Sequence, residues 1–231
     1  MTFSYTVPCH KRQEDLAKAL PFVVEAANVH AQETGTARGV EIVIVDYANP
    51  SELSGFPYLD YPNRYRLVTY RGRNHYHMSH ARNLSIKAST GDFVIISASD
   101  ICPKPEYFSV VQKRLEETGV PWLQPDVQFV GVIVCRRKEL IAAGGYDERI
   151  AYYGSEDRDL SARLRRRGLA SAPYQASELL TMFRTTNAEK IRNYGIKMSK
   201  MEMMRHGSAI FKENIRKNVL VANEGQPWGQ S

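Results

Sequence analysis

Cysteine is sparse and scattered, with Cys9, Cys102 and Cys135 the three in 231 residues. Their spacing fits neither a zinc site nor a redox pair, and an odd number excludes a fully paired disulfide framework. They read as small buried hydrophobes in a reducing compartment. Long apolar runs are also missing: no stretch approaches the roughly 18 consecutive residues that span a bilayer. Residues 1–5 lack the basic segment and apolar run of a secretory leader. The expectation is a soluble, cytoplasmic protein without a transmembrane segment. Internal repeats and low-complexity linkers are absent too. Neither sign of charge dominates, since 31 Lys and Arg stand against 25 Asp and Glu, a formal net charge of +6. That mild excess suits anionic ligands such as nucleotide phosphates and leaves a nucleic-acid partner open. The densest basic cluster, Arg163, Arg165, Arg166 and Arg167, reads as the solvated face of a helix.

What is present is enough for one α/β domain. Hydrophobic residues make up 43% of the chain, sufficient for a core at this length. The front half alternates strand-like and helix-like segments, the pattern of a mostly parallel sheet flanked by helices. Residues 3–7 form a strand stopped by Pro8, and residues 14–31 an amphipathic helix. The β-branched run 40–45 suits a strand buried on both faces, followed by a loop at Asn49, Pro50 and Ser51. Strands are expected at 65–70 and 93–96, with a helix at 79–88 between them. A helix at 106–118 is closed by Gly119. Beyond it come a strand at 129–135, a short helix at 138–143, and a helix at 156–167 with Ser155 as its N-cap. Residues 188–205 should form a helix whose methionines fill core, and the last dozen residues a loose tail.

Four segments carry chemistry. In an open parallel sheet, ligands bind outside the carboxyl ends of the strands. Pro8, His10 and Arg12 follow the first strand, and Asp46 and Tyr47 end the second, so both groups face that crevice. Arg82 and Asn83 open a helix and can hold phosphate or ribose hydroxyls; the strand after it ends in Ser97, Ala98, Ser99 and Asp100. The fourth segment runs through Gly144, Gly145, Tyr146, Asp147 and Glu148, then from Gly154 to Leu160. Paired glycines permit a close backbone approach. Glu156 and Asp157 fall in the first turn of a helix, where its dipole favours ionised carboxylates. An ionised carboxylate in a cleft can take the proton of an attacking hydroxyl.

In their order, these segments resemble the family 2 glycosyltransferases of the GT-A fold from near the N-terminus to about residue 187. The second half is similar to the galactosyltransferase-like C-terminal module, which has Gly-Gly-x-Asp-Glu followed by Gly-x-Glu-Asp-x-Asp-Leu. The resemblance implies a Rossmann-like GT-A domain over residues 1–187, with a nucleotide-binding half (1–100) and an acceptor and catalytic half (101–187). The helical segment and tail at 188–231 would pack on the same domain. It also implies a hexosyltransferase that moves a sugar from a nucleoside diphosphate-sugar, a UDP-sugar first, onto an acceptor hydroxyl with inversion. Asp157 would be the general base and Glu156 would orient the acceptor. The nucleotide and donor would contact Pro8, His10, Arg12, Asp46, Tyr47, Arg82, Asn83, Ser97, Ser99 and Asp100. Gly145, Tyr146, Asp147 and Arg184 would meet the donor sugar or acceptor. The acceptor would be a saccharide, a lipid-linked saccharide, a protein or a modified nucleic acid.

The chain departs from the family pattern where Mn²⁺ or Mg²⁺ is usually held. The Asp-x-Asp positions read Ser97 and Ser99, with Asp100 one residue late, and a serine is a poor ligand for a hard cation. The family's Met-x-Arg-His segment reads Met182, Phe183, Arg184 and Thr185. Asp100, at most with Met182, remains for a metal, so metal-independent chemistry with cationic stabilisation by Arg82 or Arg184 is favoured. Tyr47 replaces the second Asp of Val-Asp-Asp and would stack on a base. The alternative is a non-catalytic nucleotide-sugar or glycan binder on a transferase scaffold. A nucleotidyltransferase is disfavoured because no glycine-rich phosphate loop lies near the N-terminus.

Overall fold

The computed structural model describes residues 1–36, 39–49, 53, 65–183 and 187–230; the expected loop residues Pro50 and Ser51 lie outside them. A first strand β1 (Phe3–Cys9), helix α1 (Gln13–Thr34), β2 (Val40–Tyr47) and β3 (Tyr65–Tyr70) open the chain. They are followed by α2 (Met78–Ala88), β4 (Phe93–Ile96), β5 (Ile101–Pro103) and α3 (Tyr107–Thr118). The second half holds β6 (Trp122–Pro125), β7 (Val134–Arg136), α4 (Arg137–Ala142), α5 (Glu156–Arg166), β8 (Ser171–Tyr174), α6 (Ala176–Leu179) and β9 (Leu180–Met182). Helices α7 (Asn187–Tyr194) and α8 (Lys200–Arg216) complete it.

Seven strands form one sheet in the order β3-β2-β1-β4-β7-β6-β8, and β5 pairs with β9 in a small second sheet. Strands β1 to β4 are mutually parallel where they pair, and β7 runs antiparallel between β4 and β6. The α/β class with a mostly parallel sheet therefore holds. The central strands are buried almost throughout because helices cover both faces. On one face α1 and α3 pack through Leu16, Leu20, Phe108 and Val111 against Phe3, Tyr5 and Ile42. On the other, Ile86 and Leu160 meet Val94, Ile96 and Trp122.

Several local expectations change. β1 does not stop at Pro8 but runs to Cys9, with Pro8 opposite Val45 of β2. Its pairing with β4 ends at Thr6 opposite Ile96. Pro8 thus sits where one side of the strand is already unpaired, and its missing N–H costs no ladder bond there. The expected strand at 129–135 is shorter, because residues 127–129 form a 3₁₀ turn and β7 starts only at Val134. The single helix expected at 188–205 is two, separated at Gly195, which has a φ of 71°. Met203 is buried as core, whereas Met201 and Met204 are exposed.

The tail is not loose. Ala222 N–H donates to the Ala143 carbonyl at 2.9 Å, and the Asn223 amide donates to the Gly144 and Tyr146 carbonyls at 2.8 and 2.7 Å. Gly229 N–H donates to Glu148 Oε1 at 2.9 Å. These bonds tie the C-terminal segment to the carbonyls of the Ala143–Tyr146 turn and to the Glu148 carboxylate.

The arginine cluster is not uniformly solvated either. Arg163 is fully buried, with Nε 2.8 Å from Asp159 Oδ2 and its two terminal nitrogens donating to the Ala143 and Gly145 carbonyls. It holds the Gly144–Gly145 turn, which any side chain at Gly144 would break, since a Cβ there would lie 2.0 Å from the Ala222 carbonyl. Removing one partner of a buried ion pair costs about 3–5 kcal/mol. We expect Arg163→Met to lower unfolding free energy by that amount, read as a reduced urea midpoint at unchanged slope.

Candidate active site

Because β1 and β4 separate beyond Thr6 and Ile96, a cleft of about 250 Å³ opens at the carboxyl end of the sheet. Pro8, His10 and Arg12 line it from the end of β1, and Ser97, Ser99 and Asp100 from the turn after β4. Arg82 enters from α2, and Glu156 and Asp157 from the first turn of α5. Sequence-distant candidates therefore meet in one place. The chain turns at Asp100, with Ile101 N–H donating to the Ala98 carbonyl at 3.2 Å, and this brings Asp100 to the cleft wall despite its late position.

Two guanidinium groups organise the charge. Arg82 Nη1 lies 2.6 Å from Asp157 Oδ1 and 3.5 Å from Glu156 Oε1. The same Asp157 oxygen accepts the Tyr146 hydroxyl at 3.0 Å, and the Arg82 guanidinium lies over the Tyr146 ring at 4.9 Å. On the other side, Arg12 Nη2 is 2.9 Å from Asp100 Oδ2 and its Nε 2.8 Å from Asp15 Oδ2. Burial, and secondarily the neighbouring Asp157 charge, push the Glu156 carboxyl up to about 7, while Arg82 pulls the other way. Ser155 does not cap α5 through its side chain; its backbone is left-handed, with a φ of 74°. Instead Glu156 Oε2 turns back to accept the Gly154 N–H at 2.9 Å.

Other expected site residues sit behind the cleft. Asp46 is fully buried, bonded by Arg71 Nη2 at 2.6 Å and by the Asn49 amide. Tyr47 is buried against Tyr70, at 4.8 Å between ring centroids, and its hydroxyl meets His80 Nδ1 at 3.0 Å. It has no exposed face on which a base could stack. Asn83 is a clamp: its amide donates to the Tyr146 carbonyl and Glu148 Oε1, and its oxygen accepts the Tyr146 N–H. Gly145 leaves room for that clamp, since a Cβ would lie 2.4 Å from Asn83 Oδ1. Asp147 is consumed by Arg149 and Asn214. Arg184, with Thr185, lies outside the described residues.

Two contributors escaped the sequence reading. A Cβ on Gly131 would lie 3.1 Å from Asp157 Oδ2 and 3.3 Å from Arg82 Nη2, so the missing side chain makes room for the ion pair. A lone glycine inside the apolar run 129–135 was the available signal. Tyr76 also lines the cleft and stacks on His10, with centroids 5.4 Å apart and planes at 6°.

With the geometry in view, the chain can be set beside known proteins. The family model described as "Glycosyl transferase family 2" matches residues 4–201. The chain belongs to glycosyltransferase family 2. No curated protein sequence matches it, but its fold is shared with solved transferases. TarS 1-349 of S. aureus in complex with UDP-GlcNAc superposes with a TM-score of 0.69 at 13% identity, covering 93% of this chain and 66% of that one. The chain thus spans just under two thirds of that TarS fragment. The catalytic domain of Drosophila beta1,4galactosyltransferase 7, in complex with xylobiose, gives 0.56 at 14% identity, covering 91% and 79%. The mannosyltransferase PcManGT of Pyrobaculum calidifontis, in complex with GDP-Man and Mn²⁺, gives 0.63 at 15% identity, covering 90% and 69%.

Family 2 membership raises the question of a metal. A hard divalent ion takes six or more oxygen ligands, with carboxylates prominent among them. At the expected metal positions the cleft offers Ser97, Ser99, the thioether of Met182, and Asp100, whose carboxylate is already paired with Arg12; its other carboxylates, Glu156 and Asp157, are paired with Arg82. Among the described residues no group of three or more His, Cys, Asp or Glu is placed to hold an ion. These residues do not fit one.

The raised Glu156 pKa has a stability consequence. Its folded value lies above the usual 4.5, so folding favours the protonated form. That contribution is complete below about 4.5 and is lost as pH rises through about 7. Glu156→Gln keeps the neutral form, so it should gain on the wild type by about 1–3 kcal/mol between pH 5 and pH 8. Urea unfolding of both proteins at the two pH values measures it.

Proposed function

We propose that the protein transfers a hexose from a nucleoside diphosphate-sugar, a UDP-sugar first, to an acceptor hydroxyl with inversion and without a metal. The observation that carries this reading is the placement of Asp157. It stands in the first turn of α5 at the cleft wall, with the Arg82 and Tyr146 contacts both on Oδ1. Its Oδ2 faces the space that Gly131 leaves open. A carboxylate oriented in this way can take the proton of an acceptor hydroxyl as its oxygen attacks the anomeric carbon in line. The bond to the diphosphate breaks on the opposite face, and the sugar inverts.

The diphosphate leaves with negative charge that must be met in the cleft. Among the described residues, Arg82 and Arg12 are the guanidinium groups lining it. Residues 1–100 would hold the nucleotide, and 101–187 the acceptor and the base. Glu156 beside Asp157 would orient the acceptor through hydrogen bonds. A nucleotide-sugar donor is supported by the UDP-GlcNAc and GDP-Man bound in TarS and PcManGT, and a saccharide acceptor by the xylobiose bound in the galactosyltransferase.

Two measurements test the reading. Asp157→Asn should cut transfer by roughly 10²–10⁴-fold, the usual share of a general base, while calorimetry shows donor affinity retained; full activity would refute the base. UDP or a UDP-sugar at about 100 times its dissociation constant should add ~2.7 kcal/mol of stability. The melting shift should persist in EDTA. A shift seen only with Mn²⁺ would overturn the metal-free assignment.

A further inference from the structure

Helix α8 buries only one face. At ~100° per residue, Met203, Gly207 and Asn214 share the buried side. Beside them round the helix fall Met204, Ile215, Ser208 and Met201. Of these, Met201 is 62% exposed, Met204 47% and Ile215 45%. The next arc holds Lys212, Arg205 and Arg216, all exposed. Glu202 and Glu213 lie further round. Two more cations border the apolar arc: Arg158 over the Phe211 ring at 5.0 Å, and Lys200 over the Tyr153 ring at 5.2 Å.

We propose that this arc docks on an anionic lipid bilayer. An apolar stripe edged by cations of one sign matches the acyl boundary and the phosphate layer of such a surface. A second copy placed face to face would set like charges against each other. A nucleic acid would use the cations but leave Met201, Met204 and Ile215 uncovered. The helix is already formed: Ser199 and Glu202 complete a capping box at its start, so docking orders no chain.

The arc also adjoins the cleft. A Cβ on Gly207 would lie 2.2 Å from the Gly154 carbonyl, and Met204 Cγ is 3.1 Å from the Cβ position of Gly154. Helix α8 therefore rests on the loop that leads into Glu156 and Asp157, and docking would hold the cleft at the lipid surface. Delivery of a lipid-anchored acceptor is the one consequence that rests on the transferase reading.

Co-sedimentation with vesicles tests the docking without any turnover. The protein should pellet with phosphatidylcholine vesicles containing phosphatidylglycerol and remain in solution with phosphatidylcholine alone. Lys212→Glu/Arg216→Glu should weaken binding about tenfold or more, as should added salt. Met201→Ser/Met204→Ser should lower binding as well, and Lys113→Glu on the outer face of α3 should leave it unchanged. Unaltered circular dichroism melts show that the variants fold. No binding to the mixed vesicles, equal binding to both kinds, or variants that bind as the wild type would each overturn the proposal. A concentration-dependent dimer abolished by Met201→Ser/Met204→Ser in ultracentrifugation would assign the face to a second copy instead. Donor-induced melting shifts on the same samples report separately on the transferase reading.

Discussion

Two consecutive residues of one helix hold the cleft together. Arg82 crosses from α2 to the carboxylates of α5, and Asn83 grips the backbone of Tyr146 and the Glu148 side chain. A guanidinium as buried as Arg82 persists only when paired, because an isolated charge out of water is too costly. The reverse also holds. Without Arg82, Glu156 and Asp157 would face each other as adjacent like charges on a desolvated wall. Helices α2 and α5 are thus fastened at the point where chemistry is proposed.

Behind that wall lies a polar framework whose residues do not line the cleft. Asn214 of α8 donates to both Asp147 and Asp159, and Asp159 is paired with Arg163, which in turn holds the carbonyls of Ala143 and Gly145. Asn223, from the C-terminal segment, closes the same turn. A buried network is stabilising only when every member is satisfied, and here each carboxylate has at least two donors or a guanidinium. Acidic residues a few positions apart in the chain therefore differ in kind: Asp147 and Asp159 hold the scaffold, while Glu156 and Asp157 face the cleft.

Much of the fold was legible because burial on both faces leaves an unmistakable apolar run. Val40–Tyr47 and Phe93–Ile96 are strands of that sort, and the α1 and α3 periodicities mark helices that cover them. Gly119 was readable as a cap, and its φ of 64° supplies the left-handed turn that ends α3. The short strands β5, β8 and β9 were not legible, since, unlike Phe93–Ile96, they carry no continuous apolar run. The run 129–135 misled for a different reason: most of its apolar residues are buried, but Val130 is exposed and Gly131 lies in a turn beside Asp157. Arg163 read as solvated because its helix neighbours are basic, and only the packing of α4, α5 and the tail removes it from water.

Information local to the chain was enough for the α/β class, the order of the motifs and the residue types available to the cleft. Those depend on periodicity, turn chemistry and spacing along the chain, all of which are local. Tertiary structure decided which of the candidates share a cavity. It separated β1 from β4 to make that cavity, turned Asp100 into it toward Arg12, and withdrew Asp46, Tyr47, Asn83 and Asp147 behind it. It also moved Glu156 away from its ordinary pKa. These outcomes depend on burial and on contacts between residues far apart in sequence, 75 positions in the case of Arg82 and Asp157, and no local pattern encodes a distance across the fold.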